Sequence, residues 1–562
     1  MLDPELGYPD TSELYRCCLG RTLLSFNGQP TAGGGSELRP DLARAMPDVS
    51  VDGLTWTFRL KSGVRYSPPY RNTEITSGDF IRALLRSARI VKPPQYYYSI
   101  IRGFDAYAAG ATTSISGLEA PDAHTLVIRL TQPSGDLGYR LSGLAPIPPL
   151  HRDPRAPFGV YAGHDSGVSG LVVSSGPYMI EGANTVNLEA PPAQQRQPRG
   201  FVRGKTVTLV RNPSWSASTD PLRPALADRI VIDFTLTGIQ AAAAIDSGRT
   251  DIVMSSENPP QAPAAQVRAY EKHPRLGRVE IDPRDGVRFL SMNVAVPPFD
   301  DLHVRRAVAY VLDRGALVDA HGGPVNGPGA GHIALDSEED NALLTYDPYS
   351  ARDAARRVLL AREEMARSRY DSTHSGRCDS PACQSVVALT IVGGHHTAAF
   401  GTIIRDDLVQ IGIQLNVQDV PDTSYFQIIG DPSSRTAMAI GWAWNKAFTN
   451  ASDFFAPLFT HDALIGGSGY SLLGAKPDEL RGWGYSVTSV PNVDDRVQLC
   501  LPLVGAAQTR CWTTLDEYLM EKVVPVVPIV TESYIQVIPA RVTAYSYDQA
   551  YDLPALDRIA VT

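Results

Sequence analysis

Near the middle of the chain, VALTIV (387–392), a helical run over 397–411 and IQLNVQ (413–418) follow one another. Strand, long helix, strand is the order of a βαβ unit: the helix carries the chain back along the sheet, so the two strands run parallel. That commits the region to an α/β lobe. Its flanks agree. RFLSMNVA (288–295) reads as a strand with no hairpin partner nearby. It leads into a helix over 302–317, where Val304, Ala307, Val308, Val311 and Leu312 recur at helical spacing. A Gly/Pro loop, GGPVNGPGAGH (322–332), and a charged helix over 348–369 come next.

One lobe cannot hold 562 residues, and two or three are expected. Residues 1–47 read as a strand, a helix over 11–24 and a polar loop, TAGGGSE. TWTFRL (55–60) alternates with period two after an Asp52-Gly53 turn, SGDFIRALLR (77–86) opens a helix, and TLVIRL (125–130) closes a small α/β block. TVTLVR (206–211) and RIVIDF (229–234) are strands ahead of an Ala-rich helix over 238–246. Late in the chain TTLDEYLM (513–520) is helical. VVPVVPIV (523–530) carries too much proline for a central strand and reads as a rigid connector.

A net charge of −9 argues against a nucleic-acid partner, because neutralising phosphates needs a basic face. No run approaches the ~20 apolar residues of a membrane span. Met1-Leu-Asp-Pro lacks both the basic start and the apolar run of a secretion signal, so the chain is either cytosolic or written without a removed leader. The cysteines favour the second. Cys378 and Cys383 in RCDSPAC, and Cys500 and Cys511 across CLPLVGAAQTRC, read as local disulfide loops, while adjacent Cys17 and Cys18 either bridge each other or stay unpaired.

Motifs for catalysis fail on inspection. GFVRGKT (200–206) is one residue short of a phosphate loop and runs into a strand, where a helix N-terminus is needed; it reads as a turn. GHDSG (163–167) sets His, Asp and Ser side by side, which cannot form a nucleophile–base–orienter array. His395-His396 in GGHHT has no third ligand nearby, and Cys378-x4-Cys383 has no second pair. No enzyme, metal or cofactor is expected.

Five phrases in order carry a resemblance. RPDLARAMPDVSVDGLTWTFRLKSGVRY (39–66), SSGPYMI (174–180), VTLVRNPSW (207–215), FLSMNVAVPPFDDLHVRRAVAYVLDRGALV (289–318) and IGWAWNKAFTNASDFFAPLF (440–459) run through nearly the whole chain. Together they resemble the family 5 extracellular solute-binding proteins of ABC importers, the oligopeptide/dipeptide/nickel-binding group. The resemblance implies a two-lobed periplasmic-binding-protein-like clamp with a hinge and an extra small α/β subdomain (type II, large family 5 form). Lobe I would comprise residues 1–47, 172–285 and 525–562, the extra subdomain 48–171, and lobe II 286–524. It further implies a monomer outside the cytoplasmic membrane, lipid-anchored through a trimmed leader. Such a protein would hand a peptide or other small polar ligand to an ABC permease. An oligosaccharide binder or a ligand-sensing receptor on the same fold is the alternative, and an enzyme on a related fold is disfavoured.

The resemblance also nominates a site. Trp442 matches the tryptophan of the family's GW..D phrase. Asn445 stands where peptide-binding members carry the aspartate that meets the ligand's α-amine. A carboxylate there gives a charge-assisted bond, whereas an amide both donates and accepts, which suits a neutral or blocked ligand. Asp453, farther along the phrase, reads as a helix cap. Trp444 shares a face with Trp442 on a strand and is either core or contact. Tyr96, Tyr97 and Tyr98 fall where relatives place a contacting tyrosine. Tyr8, Asp10 and Thr11 align with first-loop contacts, and His395, His396 and Tyr425 with second-lobe ones; surface or packing roles are open for each.

Overall fold

The computed structural model describes residues 9–90, 95–149, 171–188, 190, 194, 196–254, 262–351, 353–392 and 399–562. The chain divides into two compact units, Met1–Asp282 with Tyr534–Thr562, and Pro283–Ser533. Among the described residues no helix is long and apolar enough to cross a membrane.

In the first unit, β1 (Asp48–Val49), β2 (Thr55–Arg59), β3 (Leu118–Asp122) and β4 (Thr125–Arg129) form an antiparallel sheet in the order β1-β2-β4-β3. Its inward positions, Trp56, Phe58, Leu126 and Ile128, pack with Phe80 and Leu84 of helix α1 (Ser77–Ile90). The alternation in TWTFRL and the stripe on α1 are thus two sides of one interface. A second four-stranded sheet is built from β5 (Tyr178–Ile180), β6 (Phe201–Val202), β7 (Thr206–Arg211) and β8 (Arg229–Asp233). GFVRGKT is its β6–β7 turn, with Gly204 in the left-handed region at φ +68. At the start of the chain the helix is short, Pro9–Leu14, and a π-turn over Tyr15–Leu19 ends it where the Gly20 amide donates to the Tyr15 carbonyl. The expected helix over 11–24 gives way there, and Leu24–Ser25 is already a strand.

The second unit holds a five-stranded sheet. Its strands are β9 (Gly277–Met292), β10 (Val386–Ile391), β11 (Leu415–Val420), β12 (Met438–Asn445) and β13 (Val526–Pro539), in the order β11-β10-β12-β9-β13. β10 and β11 are parallel and are joined through helix α2 (Phe400–Val409), the βαβ unit expected from the sequence. The missing partner of β9 is β12, antiparallel to it. Helix α3 (Gly505–Tyr518) adds Trp512 to a core that also holds Phe289, Val308, Phe400, Phe455 and Leu458.

Two further expectations are corrected. VVPVVPIV leads into β13, which begins at Val526, rather than forming a connector; the strand is last in the sheet order, and the Gly/Pro loop lies along its outer side, the Ala330 amide donating to the Ile529 carbonyl and the Thr531 amide to the Pro328 carbonyl. The helix over 302–317 is two, Leu302–Val311 and Arg314–Ala320, because Asp313 turns the chain and caps the second through the Ala316 amide. The chain crosses between units twice, once within β9 and once within β13.

All six cysteines are bridged, as Cys17–Cys18, Cys378–Cys383 and Cys500–Cys511.

Candidate ligand-binding site

Of the nominated residues in the second unit, Trp442, Trp444 and Asn445 lie on β12, and Tyr425 bonds to it from a neighbouring helix. Its register against β9 pairs Trp442 with Phe289, Ala443 with Arg288, Trp444 with Val287 and Asn445 with Gly286. Between Phe289 and Leu290 the register slips by one residue, and Gly441 takes up the extra position at φ +79, the left-handed conformation of a glycine bulge. The slip sets the two tryptophans on the face of Phe289 and Val287, and the Arg288 guanidinium anchors it by donating to the Gly441 carbonyl at 2.9 Å.

Trp442 is 1% exposed. Its ring lies 4.9 Å from that of Phe289 and meets Tyr470 edge-on at 4.8 Å, and Nε1 donates to Ser291 Oγ at 2.7 Å. Trp444 is half-buried and donates from Nε1 to the Asp453 carbonyl at 2.8 Å. Tyr425, fully buried, donates its hydroxyl to the Ile440 carbonyl at 3.1 Å; burial holds its phenol well above the ordinary range. This placement makes Trp442 and Tyr425 supports of β12, not side chains presented at its surface. Asp453 is not the helix cap expected: the N-cap of the helix Ser452–Phe459 is Ala451, and Asp453 lies in its first turn, its carboxylate accepting from the Ala447 amide at 2.5 Å.

Asn445 is the exposed residue at the end of the strand. A Cβ on Gly286 would come within 2.3 Å of Asn445 Oδ1, so only glycine opposite lets the amide lie across the neighbouring strand. Around this pair stands a charged group that the sequence did not announce. Arg288 Nη2 lies 2.5 Å from Glu532 Oε1, and Arg284 Nη1 3.9 Å from Glu532 Oε2. Burial would raise the Glu532 carboxyl, but Arg288 and Arg284 outweigh it and hold the group below its usual range. Asp285 takes the opposite course: burial pushes it up despite Arg284 and Lys446. Lys446, buried, donates its amide to the Asp285 carbonyl and keeps its ammonium 3.4 Å from Glu338. The visible hint was the alternation of charges in DPRDGVR (282–288) about a glycine. A neutral donor–acceptor amide therefore stands beside fixed charges of both signs, an arrangement able to bind a polar ligand without proton transfer.

In the first unit, Tyr98 is buried against Phe104 and donates to the Arg140 carbonyl, and the half-buried Tyr97 accepts from Arg140 through its carbonyl. Asp10 and Thr11 lie on the helix Pro9–Leu14. Tyr8, His395 and His396, and the side chains of Asp10, Thr11 and Tyr96, are outside the described residues.

Residues 37–464 match the model of the bacterial extracellular solute-binding proteins, family 5 Middle. The chain is 23% identical to the dipeptide-binding protein of Escherichia coli over 458 residues, covering 79% of this chain and 75% of that one. It is 24% identical to the di/tripeptide-binding protein 1 of Pseudomonas aeruginosa over 58% of this chain and 56% of the relative, little more than half its length. Among solved structures, the clavulanic acid biosynthesis oligopeptide binding protein 2 superposes with a TM-score of 0.73 at 24% sequence identity, covering 99% of this chain and 92% of that one. This likeness shows the fold.

Proposed function

The chain belongs to the family 5 bacterial extracellular solute-binding proteins, and on that premise we propose that it captures a peptide-like or other small polar ligand for an ABC permease. It does so as a monomer and without catalysis. Its place is outside the cytoplasmic membrane, held by a lipid anchor; three disulfides suit an oxidising compartment. Residues 1–47, 172–285 and 525–562 act as one lobe, 48–171 as the extra subdomain and 286–524 as the other lobe.

The observation that carries the ligand class is Asn445, exposed at the end of β12 with Gly286 opposite. At this position the family resemblance places the carboxylate that meets a free α-amine, and an amide favours a ligand whose amino end is blocked or neutral. Trp444, beside it and half-buried, supplies an apolar edge. Of the remaining nominated positions, Tyr8, Asp10, Thr11, Tyr96, Tyr97, His395 and His396 are secondary contacts in this reading, while Tyr98, like Trp442 and Tyr425, is buried within its unit.

A melting screen against di- to pentapeptides with free and acetylated ends, and against cello- and xylo-oligosaccharides, tests it. Binding at a hundredfold excess over Kd stabilises by ~2.7 kcal/mol. Acetylated peptides or oligosaccharides should raise the midpoint more than free peptides, and Asn445→Asp should shift the preference toward the free amine. A midpoint that no organic ligand moves would sink the proposal. An unchanged preference in Asn445→Asp would remove Asn445 from the site.

A further inference from the structure

A second cluster in the Pro283–Ser533 unit has the chemistry of a metal centre. His332 ends the Gly/Pro loop, Glu339 closes a short 3₁₀ turn (Asp336–Glu339), and Asp516 lies in the last turn of α3. All three are buried, the two carboxylates completely. His332 Nδ1 stands 3.3 Å from Asp516 Oδ2 and 3.6 Å from Glu339 Oε2, and the three donor atoms all lie within 4.8 Å of one another. Two ligands at ~2.0–2.2 Å from a tetrahedral zinc are roughly 3.3 Å apart, so the spacing is close to what one ion draws together.

Four further features point the same way. Glu339 is 0% exposed, yet neither of its oxygens accepts a hydrogen bond among the described residues. A buried carboxyl in that state either keeps a proton or holds a cation that displaces it. The other ring nitrogen of His332, Nε2, lies 3.1 Å from Asp336 Oδ1. A carboxylate on the far nitrogen is how ligating imidazoles are oriented, with Nδ1 left as the lone-pair face. Asp516 is fixed as well: its Oδ2 accepts from the amides of Ile333 at 3.0 Å and Ala334 at 2.9 Å. The charge count also suits a divalent ion. With an ion bound and the ligand protons released, Glu339 and Asp516 would bring two negative charges beside a neutral imidazole, whereas neighbouring Glu338 already faces Lys446.

We propose that His332 Nδ1, Glu339 and Asp516 bind one divalent transition-metal ion of the zinc type, with Asp336 as the orienting partner of His332. The site is separate from the ligand-binding reading and does not depend on it. It ties the Gly/Pro loop, the 3₁₀ turn and α3 together within one unit. A search by spacing misses it because the ligands come from residues 332, 339 and 516.

The full chain, stripped with a chelator and dialysed, should take up one equivalent of zinc by titration calorimetry and elemental analysis. Its melting midpoint should rise with zinc and stay put with calcium. Glu339→Gln, folded by circular dichroism, should bind at least tenfold more weakly, and Asp336→Asn about 10–100-fold more weakly. X-ray absorption on the zinc-loaded wild type keeps the test open should Glu339→Gln fail to fold: one imidazole and otherwise oxygen neighbours support the site. No zinc uptake, equal uptake by folded Glu339→Gln, or a shell with two or more imidazoles overturns it. The first of these outcomes would mark the cluster as a plain ion-pair network around an imidazolium. None of them touches the response to peptides, so the two proposals fail separately.

Discussion

At the residue scale, the two tryptophans of IGWAWN divide by what surrounds their rings. Trp442 is enclosed by Phe289, Tyr470 and Ser291, so Trp442→Ala should cost about 3–5 kcal/mol in urea unfolding. Trp442→Phe keeps a ring in place but leaves Ser291 without the indole donor, and should cost less than half as much. Equal losses in the two variants would show that the enclosure does not matter. The sequence could nominate this position and could tell that Trp442 and Trp444 share a face. It could not tell that the face is packed. That depends on β9, more than a hundred residues earlier, and on a bulge at Gly441 that becomes visible only once the strands pair. The Arg288–Glu532 contact is hidden for the same reason, since its members are separated by most of the unit.

At the element scale, the local units were legible and the long-range ones were not. The βαβ unit of β10, α2 and β11 follows from periodicity, because all its parts are adjacent in the chain. The reading of VVPVVPIV failed because proline is judged by the position of its strand in the sheet, and the sequence does not say which strand comes last in it. Cys500–Cys511 joins the helix Asp494–Cys500 to α3 across a separation of 11 residues. By loop-closure entropy, Cys500→Ser/Cys511→Ser should lose about 2–3 kcal/mol. Chemical denaturation of the double variant beside the oxidised parent measures it, and a loss below ~0.5 kcal/mol would mean that packing alone fixes the two helices.

For the whole molecule, one buried and one half-buried acid of the first unit set opposite limits on pH. Asp41 is buried, which would raise it, but Arg223 and Arg21 overcome this and hold it down to about 2. Its folded value lies below the unfolded ~3.9. The stability it contributes is therefore present above about pH 4 and lost as pH falls toward 2, on the order of 2 kcal/mol. Asp282 is pushed up to about 7 by burial, aided by Glu280 and opposed by the Tyr545 hydroxyl. The native state then keeps a proton that the unfolded chain releases near pH 4, so stability declines as pH climbs from about 4 to about 7. Melting midpoints taken through that range should fall for the wild type and fall less for Asp282→Asn; parallel curves would remove Asp282 from the account.

Arg16 has a different consequence. Its guanidinium is buried between Glu13, in the same helical stretch, and Asp548 and Asp557, near the far end of the chain. During synthesis the ribosome releases residues 283–533 complete before either distant aspartate has emerged. The second unit can therefore close early, while the first waits for the last 29 residues, its buried Arg16 facing only Glu13 of its three carboxylate partners. A chain stopped after residue 540 should keep protease-resistant material from 283–533 and be digested through its N-terminal part. Equal protection of both would show that the first unit closes without its C-terminal strand. The order in which the two halves mature is thus written into where one arginine finds its partners.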